Sequence, residues 1–428
     1  MMGTPTARAA AVLLAVGALT VTACSGPVPA TPPAAAPTGA AAGAMPGPGS
    51  VVRSSLDHAA MDAVVEQTAT ELHQPGMVVL IRTPHDEYVN ARGVTEWRGS
   101  TPVTPDTKMR IGSNTKTMTG TAILQMVQEG KIALTDPVAR YLPDVPGGEA
   151  ITIAQLGDMR SGLFNYTETL ELNTALDTEP GRVWTNEELL ALAFANPPYF
   201  APGQGWHYSN TNTVLLGEIA EQIDRKPLDR ILQDRFFTPM GLRGTSFPAG
   251  ADSTMPASYS HGYMYGTNVA QLSDPSLPAG QLAEVEAGTL DPADHTDDNT
   301  SWAGAAGRGV STTNDLAVWV KAMVGGQLLD AATQQARVDS MLPTGNGADY
   351  GFALAQLGPL YGHTGGLPGF NSFMGYDPVN DVTIVAWANL APAANGFPPA
   401  EAVVAGLLPL VYATPPPVPD LPEAQLPG

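Results

Sequence analysis

The segment Met109–Met118, MRIGSNTKTM, is the most informative stretch of the sequence, because it places a serine and a lysine at the start of a predicted helix. The helix is predicted from apolar residues recurring every fourth position before a glycine stop, at Met118, Ala122, Met126 and Gly130. Ser113 and Lys116 would then share one face of this largely buried helix.

Two interpretations of that pair are open from these residues alone. Burial lowers the pKa of a lysine and makes it a usable base for a neighbouring serine, whereas a lysine on a solvated helix stripe has no such role. None of the other four lysines follows a serine at this spacing, so Ser113 and Lys116 are the single S-x-x-K pair in the chain.

Two further polar motifs follow along the chain. Tyr208-Ser-Asn210 precedes the apolar helical run Val214–Ile219, so a turn at a helix entrance can carry the phenol into a cleft. His363-Thr-Gly-Gly366 leads into strand-like segments, where glycines let a substrate lie close against a sheet edge.

In this order, S-x-x-K, Y-x-N and H-T-G resemble the serine hydrolases of the penicillin-recognising group: D-alanyl-D-alanine carboxypeptidases, class C β-lactamases and their esterase relatives. Segments such as MRSGLFNY (159–166) and AAGRGVSTTNDLAVWV (305–320) are similar to that group as well. The resemblance covers roughly residues 56 to 407.

The resemblance implies catalytic roles for three residues: Ser113 as the acylated nucleophile, with Lys116 and Tyr208 as its base system. Asn210 would orient Lys116 and the substrate amide. The backbone N–H groups of Ser113 and Gly366 would form the oxyanion hole.

The same resemblance makes the third motif a substrate-binding strand, formed by His363, Thr364, Gly365 and Gly366. His363 stands where β-lactamases carry a lysine. The carboxypeptidases grip a substrate carboxylate with an arginine on the preceding strand, but the expected strand Tyr350–Leu360 contains no cation, and Gln356 cannot replace a guanidinium. Arg308 is the nearest substitute in the sequence.

The fold class predicted from the pattern is α/β of the α+β type. A helix over 56–72 and a hairpin at Met77–Arg82 and Tyr88–Arg92 open the domain, and strands at Asn371–Tyr376 and Val382–Trp387 precede a C-terminal helix. The intervening part is mostly helical. We therefore expect one antiparallel sheet built from both chain ends and flanked by helices, with an inserted helical region and the active site between them.

The N-terminus has the pattern of an exported lipoprotein. Residues 1–23 read as a signal peptide whose apolar run is too short to span a bilayer, and Cys24, the only cysteine, stands at a lipobox-like processing position. Residues 24–50 then read as a Pro/Ala/Gly-rich tether, 51–412 as the hydrolase domain and 413–428 as a Pro-rich tail. The predicted location is the cell membrane, lipid-anchored and facing outside the cytoplasm.

The net charge and the spacing of the histidines limit which partners and metals the protein is expected to bind. A formal charge of -21 argues against nucleic-acid binding. The acidic cluster at Asp291, Asp294, His295, Asp297 and Asp298 has no accompanying metal motif, so a solvated loop is favoured, and neither a metal nor a cofactor is expected.

These expectations combine into one predicted function. The protein is expected to be an exported serine hydrolase working through an acyl-enzyme, carboxypeptidase-like on the D-alanyl peptides of peptidoglycan, with β-lactams as acylating ligands. The alternatives are an esterase of the same fold acting on small esters, a β-lactamase, and a non-catalytic lipoprotein that binds the cell wall.

Overall fold

The computed structural model describes residues 51–345 and 347–413. The predicted signal peptide (1–23), the tether (24–50) with Cys24, and the tail beyond residue 413 lie outside the described residues. The domain boundaries at 51 and 412 and the lipid anchor therefore stay predictions. Within the described part of the chain, no helix is both long and apolar enough to cross a membrane.

Strands occur near both ends of the described chain, as the sequence predicts. They are β1 (Gly76–Arg82), β2 (Glu87–Gly93), β3 (Met109–Arg110), β4 (Tyr263–Met264), β5 (Ala293–Asp294), β6 (Val310–Ser311), β7 (Leu342–Pro343), β8 (Asp349–Gly351), β9 (Leu354–Leu357), β10 (Leu360–Leu367), β11 (Phe370–Asp377) and β12 (Val382–Ala388).

Helices fill most of the intervening sequence. They are α1 (His58–Glu71), α2 (Thr115–Gln128), α3 (Ile153–Gly157), α4 (Leu170–Thr178), α5 (Asn186–Phe194), α6 (Asn210–Asp224), α7 (Leu228–Leu232), α8 (Thr238–Met240), α9 (Asn268–Gln271), α10 (Ala279–Glu286), α11 (Gly304–Gly307), α12 (Thr313–Val324), α13 (Ala331–Asp339) and α14 (Pro399–Val411).

The main sheet joins the two ends of the domain. Its strand order is β2-β1-β12-β11-β10-β9-β8-β7, and every neighbouring pair is antiparallel. The junction is the pairing of β1 with β12, in which Met77 lies opposite Ala388 and Arg82 opposite Thr383. The predicted α+β architecture, an antiparallel sheet flanked by helices, is confirmed.

Both faces of the sheet are covered, which explains why β1 and β12 read as continuous apolar runs. Side chains alternate between the two faces of a strand. Val78 and Leu80 of β1 join the core on the α2, α6 and α12 side, whereas Val79 and Ile81 join the core formed with α1 and α14. The inserted helical region therefore packs on one face only, and the two terminal helices close the other.

One predicted strand is wrong. Instead of a single strand over Tyr350–Leu360, the chain forms the hairpin β8–β9, with Phe352 and Ala353 at the turn. Ala353 has φ +49°, a conformation that non-glycine residues rarely adopt. Tertiary contacts hold the turn: the Ala353 N–H donates to the Gly157 carbonyl, and both residues of the turn are buried.

Candidate active site

The serine of the first motif lies where a short 3-10 turn, Gly112–Asn114, passes into α2. Gly112 has φ +51°, and a Cβ built on it would lie 2.6 Å from the Gly366 nitrogen of β10. Only glycine fits this position without strain or overlap. The turn therefore brings Ser113, which is 5% exposed, directly against the strand that carries the third motif.

Lys116 is fully buried one helical turn after Ser113 and contacts three oxygens. Its Nζ lies 2.9 Å from Ser113 Oγ, 2.6 Å from Asn210 Oδ1 and 3.0 Å from the Ala306 carbonyl oxygen. Burial without a carboxylate partner holds the pKa of Lys116 well below its usual value. The solvated-stripe interpretation of this lysine is therefore wrong.

This contact set suits a neutral amine. The Asn210 and Ala306 oxygens can only accept, so they take the two N–H bonds of a neutral amino group. Its lone pair is then left for the Ser113 hydroxyl proton. The charged ammonium is also accommodated, because all three oxygens can accept from it, so Lys116 can gain and lose a proton without moving.

Tyr208 lies in the turn before α6, where Ser209 is the N-cap residue. Its ring stands over Lys116, with Nζ 4.8 Å from the ring centroid. Burial raises the pKa of the Tyr208 phenol far above its ordinary value, and the contact with Ser113 lowers it by less. The hydroxyl meets no partner at ordinary hydrogen-bond geometry in the described structure. A neutral phenol beside the serine is placed to donate a proton rather than to remove one.

Asn210 begins α6 and links Lys116 to a second polar segment. Besides accepting from Lys116, it donates through Nδ2 to Thr167 Oγ1 at 3.1 Å. Its backbone N–H donates to Asn165 Oδ1 at 3.0 Å. These contacts fix the amide orientation, so that the oxygen faces the amine. Asn165 lies in the quoted segment MRSGLFNY, but sequence reasoning gave it no role.

The third motif is divided between the two faces of β10. His363 is buried on the side of Lys116 and Tyr208, with 6.1 Å between its ring centroid and that of Tyr208. Gly365 and Gly366 press against the nucleophile turn, where a Cβ on Gly365 would lie 2.0 Å from the Ile111 carbonyl oxygen. These residues lie together as the sequence predicts.

Thr364 does not join them. Neighbouring residues of a strand face opposite sides, and the Thr364 side chain is near enough to the Glu401 carboxyl on α14 to lower the pKa of that carboxyl slightly, against the larger effect of burial. The side chain is thus directed toward the terminal helix. The predicted substrate contact of this side chain gains no support from its position.

Arg308 follows α11, and its guanidinium contacts the loop that contains Asp252. Its Nη2 donates to the Asp252 carbonyl at 2.6 Å, and the residue is 7% exposed. Burial lowers its pKa, while the charges of Asp252 and Asp229 raise it by less. The structure therefore assigns this arginine to loop anchoring and does not bring it into contact with the other predicted site residues.

A residue that sequence reasoning missed completes the group around the base. Tyr350 of β8 is buried, and its hydroxyl lies 3.1 Å from His363 Nε2. Its ring is perpendicular to that of Tyr208, with the centroids 6.2 Å apart. No motif in the sequence around Tyr350 indicates a role for this residue.

A crevice lies beside Gly366. The side chains that line it include Thr167, Asn173, Asn268, Gln271, Leu272 and Phe370, and the whole lining is uncharged. Among the described residues, no group of three or more His, Cys, Asp or Glu side chains is arranged to hold a metal ion. His295 and Asp298 of the acidic loop bond to each other instead, at 2.7 Å.

The family described as Beta-lactamase matches residues 61–407. The chain belongs to the beta-lactamase family. The chain is similar to Esterase EstB from Burkholderia gladioli, with 30% identity over 251 residues, which are 54% of this chain and 63% of the esterase. Protein flp of Staphylococcus aureus (strain MRSA252) is 24% identical over 77% of this chain and 62% of its own length. The matched part thus spans less than two thirds of these curated relatives.

The chain also aligns with nearly the full length of several solved structures. A D-stereospecific amidohydrolase from Streptomyces sp. is 30% identical, with a TM-score of 0.68 over 81% of this chain and 97% of that one. The D-amino acid amidase of Ochrobactrum anthropi SV3, complexed with D-phenylalanine, is 25% identical, with a TM-score of 0.69 over 82% and 96%. The penicillin binding protein from Bacillus halodurans, 21% identical with a TM-score of 0.65 over 81% and 99%, shares the fold. The chain and these proteins share one fold.

Proposed function

We propose that the protein hydrolyses small esters or amides that carry no carboxylate beside the scissile bond, through an acyl-enzyme on Ser113. The observation that carries this proposal is the contact set of Lys116, a buried amine whose lone pair is left for the Ser113 proton.

The first half of the reaction transfers the acyl group to the enzyme. Ser113 Oγ attacks the substrate carbonyl carbon while its proton passes to Lys116 Nζ. The C–O or C–N bond to the leaving group then breaks, and the leaving group takes the Tyr208 phenolic proton. The Lys116 proton returns to the Tyr208 oxygen, which restores both side chains.

The second half releases the product by the same route in reverse. Water attacks the acyl carbon and gives a proton to the Lys116–Tyr208 pair, and Ser113 Oγ leaves with a proton. The backbone N–H groups of Ser113 and Gly366 are proposed to stabilise the negative oxygen in both halves. The packing of Gly112 on Gly366 supports that arrangement, because it keeps the two donors adjacent.

The preference for substrates without a carboxylate rests on the charges around the site. A substrate carboxylate needs a cation, and a guanidinium pair is the strongest common partner. Arg308 keeps its charge, but its Nη2 donates to the Asp252 carbonyl. Burial lowers the pKa of His363 to about 3, so the imidazole carries no positive charge near neutral pH. The crevice beside Gly366 is uncharged too. The carboxypeptidase activity predicted from the sequence therefore ranks second to ester or amide hydrolysis.

The printed names of the relatives support the same order. An esterase, a D-stereospecific amidohydrolase and a D-amino acid amidase are similar to this chain at 25 to 30% identity. Amides of D-amino acids and short-chain esters are thus the first substrates to test.

A substrate panel tests the proposal. Rates with p-nitrophenyl acetate, D-phenylalanine amide, a D-Ala-D-Ala peptide and a chromogenic cephalosporin are compared in the wild type and in Ser113→Ala. We expect the ester or the amide to exceed the peptide in kcat/KM, and Ser113→Ala to lose all activities. A peptide preference would favour the carboxypeptidase, fast cephalosporin turnover the β-lactamase, and inactivity with the whole panel the non-catalytic alternative.

We also propose export and lipid anchoring through Cys24, on the sequence alone. Peptidoglycan peptides and the outward-facing surface of the cell membrane would then be the neighbours of the domain, and nucleic acid would not. Cys24→Ala should move the protein out of the membrane fraction; unchanged partitioning would show that lipidation is not what holds it there.

A further inference from the structure

His363 is held by a hydrogen bond at each ring nitrogen. Nδ1 lies 2.6 Å from its neighbour's carbonyl oxygen, that of Thr364, and Nε2 lies 3.1 Å from the Tyr350 hydroxyl. The imidazole is 3% exposed, and the Tyr350 side chain is also buried. Both ring nitrogens are therefore occupied by protein groups.

The partners determine where the imidazole proton lies. A carbonyl oxygen can only accept, so Nδ1 must carry the hydrogen. In a neutral ring Nε2 is then the acceptor, and the Tyr350 hydroxyl donates to it. The alternative neutral tautomer would place the Nδ1 lone pair against the Thr364 oxygen at 2.6 Å, which is repulsive.

The surroundings favour the neutral ring over the imidazolium. Burial is the main cause that lowers the pKa of His363, and Lys116 on α2 lowers it further, whereas the bond to the Thr364 carbonyl raises it by less. Tyr208 faces the ring from the turn before α6, and Tyr350 faces it from β8. No carboxylate is among the groups that shift the pKa of this histidine in the described structure.

Tyr350 itself is a dependable donor. Its pKa lies well above the ordinary value, because burial and the neighbouring Tyr208 disfavour the phenolate. Of the two charged groups that act on it, Arg337 lowers the pKa and Asp158 raises it, both by less than burial. The hydroxyl therefore keeps its hydrogen, and Nε2 keeps an acceptor's role.

We propose that Tyr350 is a positioning residue that fixes His363 as the neutral Nδ1–H tautomer and so makes the cleft select substrates without a carboxylate. The selectivity half of this inference rests on the proposed function. Neither a positive charge nor an N–H bond of His363 is left to meet a substrate carboxylate, at the place where β-lactamases carry a lysine.

The tautomer is tested by NMR on the full chain labelled with ¹⁵N-histidine. Two-bond ¹⁵N–¹H correlations distinguish the Nδ1–H tautomer from the Nε2–H tautomer, and His363→Gln assigns the signal. We expect the His363 ring to stay neutral with its proton on Nδ1 from pH 5.5 to 8.5. An Nε2–H tautomer, or titration near the ordinary histidine pKa, would overturn the proposal whether or not the protein is active.

Tyr350→Phe tests the role of the hydroxyl. Losing a hydrogen bond donated to the neutral form should raise the pKa of His363 by about one pH unit, so the titration of the wild type and of the variant is followed below pH 5.5 over the range in which both stay folded. The matched control is Tyr88→Phe, which loses a buried tyrosine's bond to Asp62 on the α1 side of the sheet. The control should leave the His363 signal unchanged.

Selectivity is read with a matched pair of esters, phenyl acetate and 3-carboxyphenyl acetate. We expect the wild type to prefer phenyl acetate, and Tyr350→Phe to narrow that preference as the pH falls toward the pKa of His363, while Tyr88→Phe does not. An unchanged ratio, together with an unchanged His363 signal, would show that Tyr350 only fills space. Absence of hydrolysis in every variant would reject the proposed function and leave the NMR result to judge the tautomer.

Discussion

The contact between β10 and the nucleophile turn gives the sharpest prediction, through Gly365→Ala. A Cβ on this residue would lie 2.0 Å from the Ile111 carbonyl oxygen, whereas real Cβ contacts are not shorter than 3.0 Å. That oxygen is held by the Ser372 hydroxyl at 3.0 Å and by the Asn114 side-chain amide at 3.2 Å, so it cannot withdraw freely. The strand must shift by about 1 Å relative to the serine.

A misplacement of about 1 Å at a catalytic centre costs roughly a hundredfold in rate. We therefore expect kcat/KM for the best ester of the panel to fall about a hundredfold in Gly365→Ala, measured at a temperature where thermal unfolding shows the variant to be folded. Gly307→Ala is the matched control, because its Cβ would meet the Ala303 Cβ at 3.2 Å and nothing closer. It should stay within about threefold of the wild type, as expected without displacement of the strand. If Gly365→Ala also kept more than a third of the activity, the packing of β10 on Ser113 would not set the catalytic geometry.

Four further predictions follow from the site and its surroundings. The pKa of Lys116 lies well below its usual value and its neutral form is the base, so kcat/KM should rise with pH as the ammonium loses its proton. If Lys116→Met kept residual activity with the same rise of kcat/KM at acid pH, this prediction would be contradicted. Because the pKa of Lys116 is lower in the folded protein, the unfolded chain binds this proton more tightly. The free energy of unfolding of the wild type, relative to that of Lys116→Met, should therefore rise with pH toward the pKa that the lysine has in the unfolded chain. Calorimetry that shows a pH-independent difference between the two proteins would refute this prediction. Asn210→Ala should lower kcat about 10- to 100-fold with a smaller change in KM, because the amide orients Lys116, and a pure KM effect would assign Asn210 to substrate binding instead. Arg308→Ala should lower the free energy of unfolding by about 1 to 3 kcal/mol, because the hydrogen bond to the Asp252 carbonyl is lost. The ratio of peptide to ester hydrolysis should stay unchanged. A changed ratio would show that Arg308 binds the substrate carboxylate.

The sequence predicts the ends of this domain well because their apolar patterns are long and regular. β1 and β12 are apolar on both faces, and the buried positions of α2 recur at helical spacing, so local rules and tertiary packing agree there. The association of Ser113, Lys116, Tyr208, Asn210 and His363 was expected from the order of three motifs, and the structure brings these residues together.

The edge of the sheet could not be predicted in the same way. The β8–β9 turn has no proline, asparagine or glycine at its two central positions, and Ala353 takes its positive φ from contacts with α2 and α3 residues far away in the sequence. Tyr350 reaches His363 only because this hairpin exists. Arg308 illustrates the opposite case, since its sequence neighbourhood touches the site while its side chain turns to Asp252.

The central claim, that Ser113 is the acylated nucleophile, is tested most directly by intact-mass analysis and peptide mapping after reaction with a fluorophosphonate. The account predicts a single adduct on Ser113 in the wild type, an adduct of the same mass on the same serine in Ser209→Ala, and none in Ser113→Ala. An adduct on Ser209, or labelling that persists in Ser113→Ala, would contradict it.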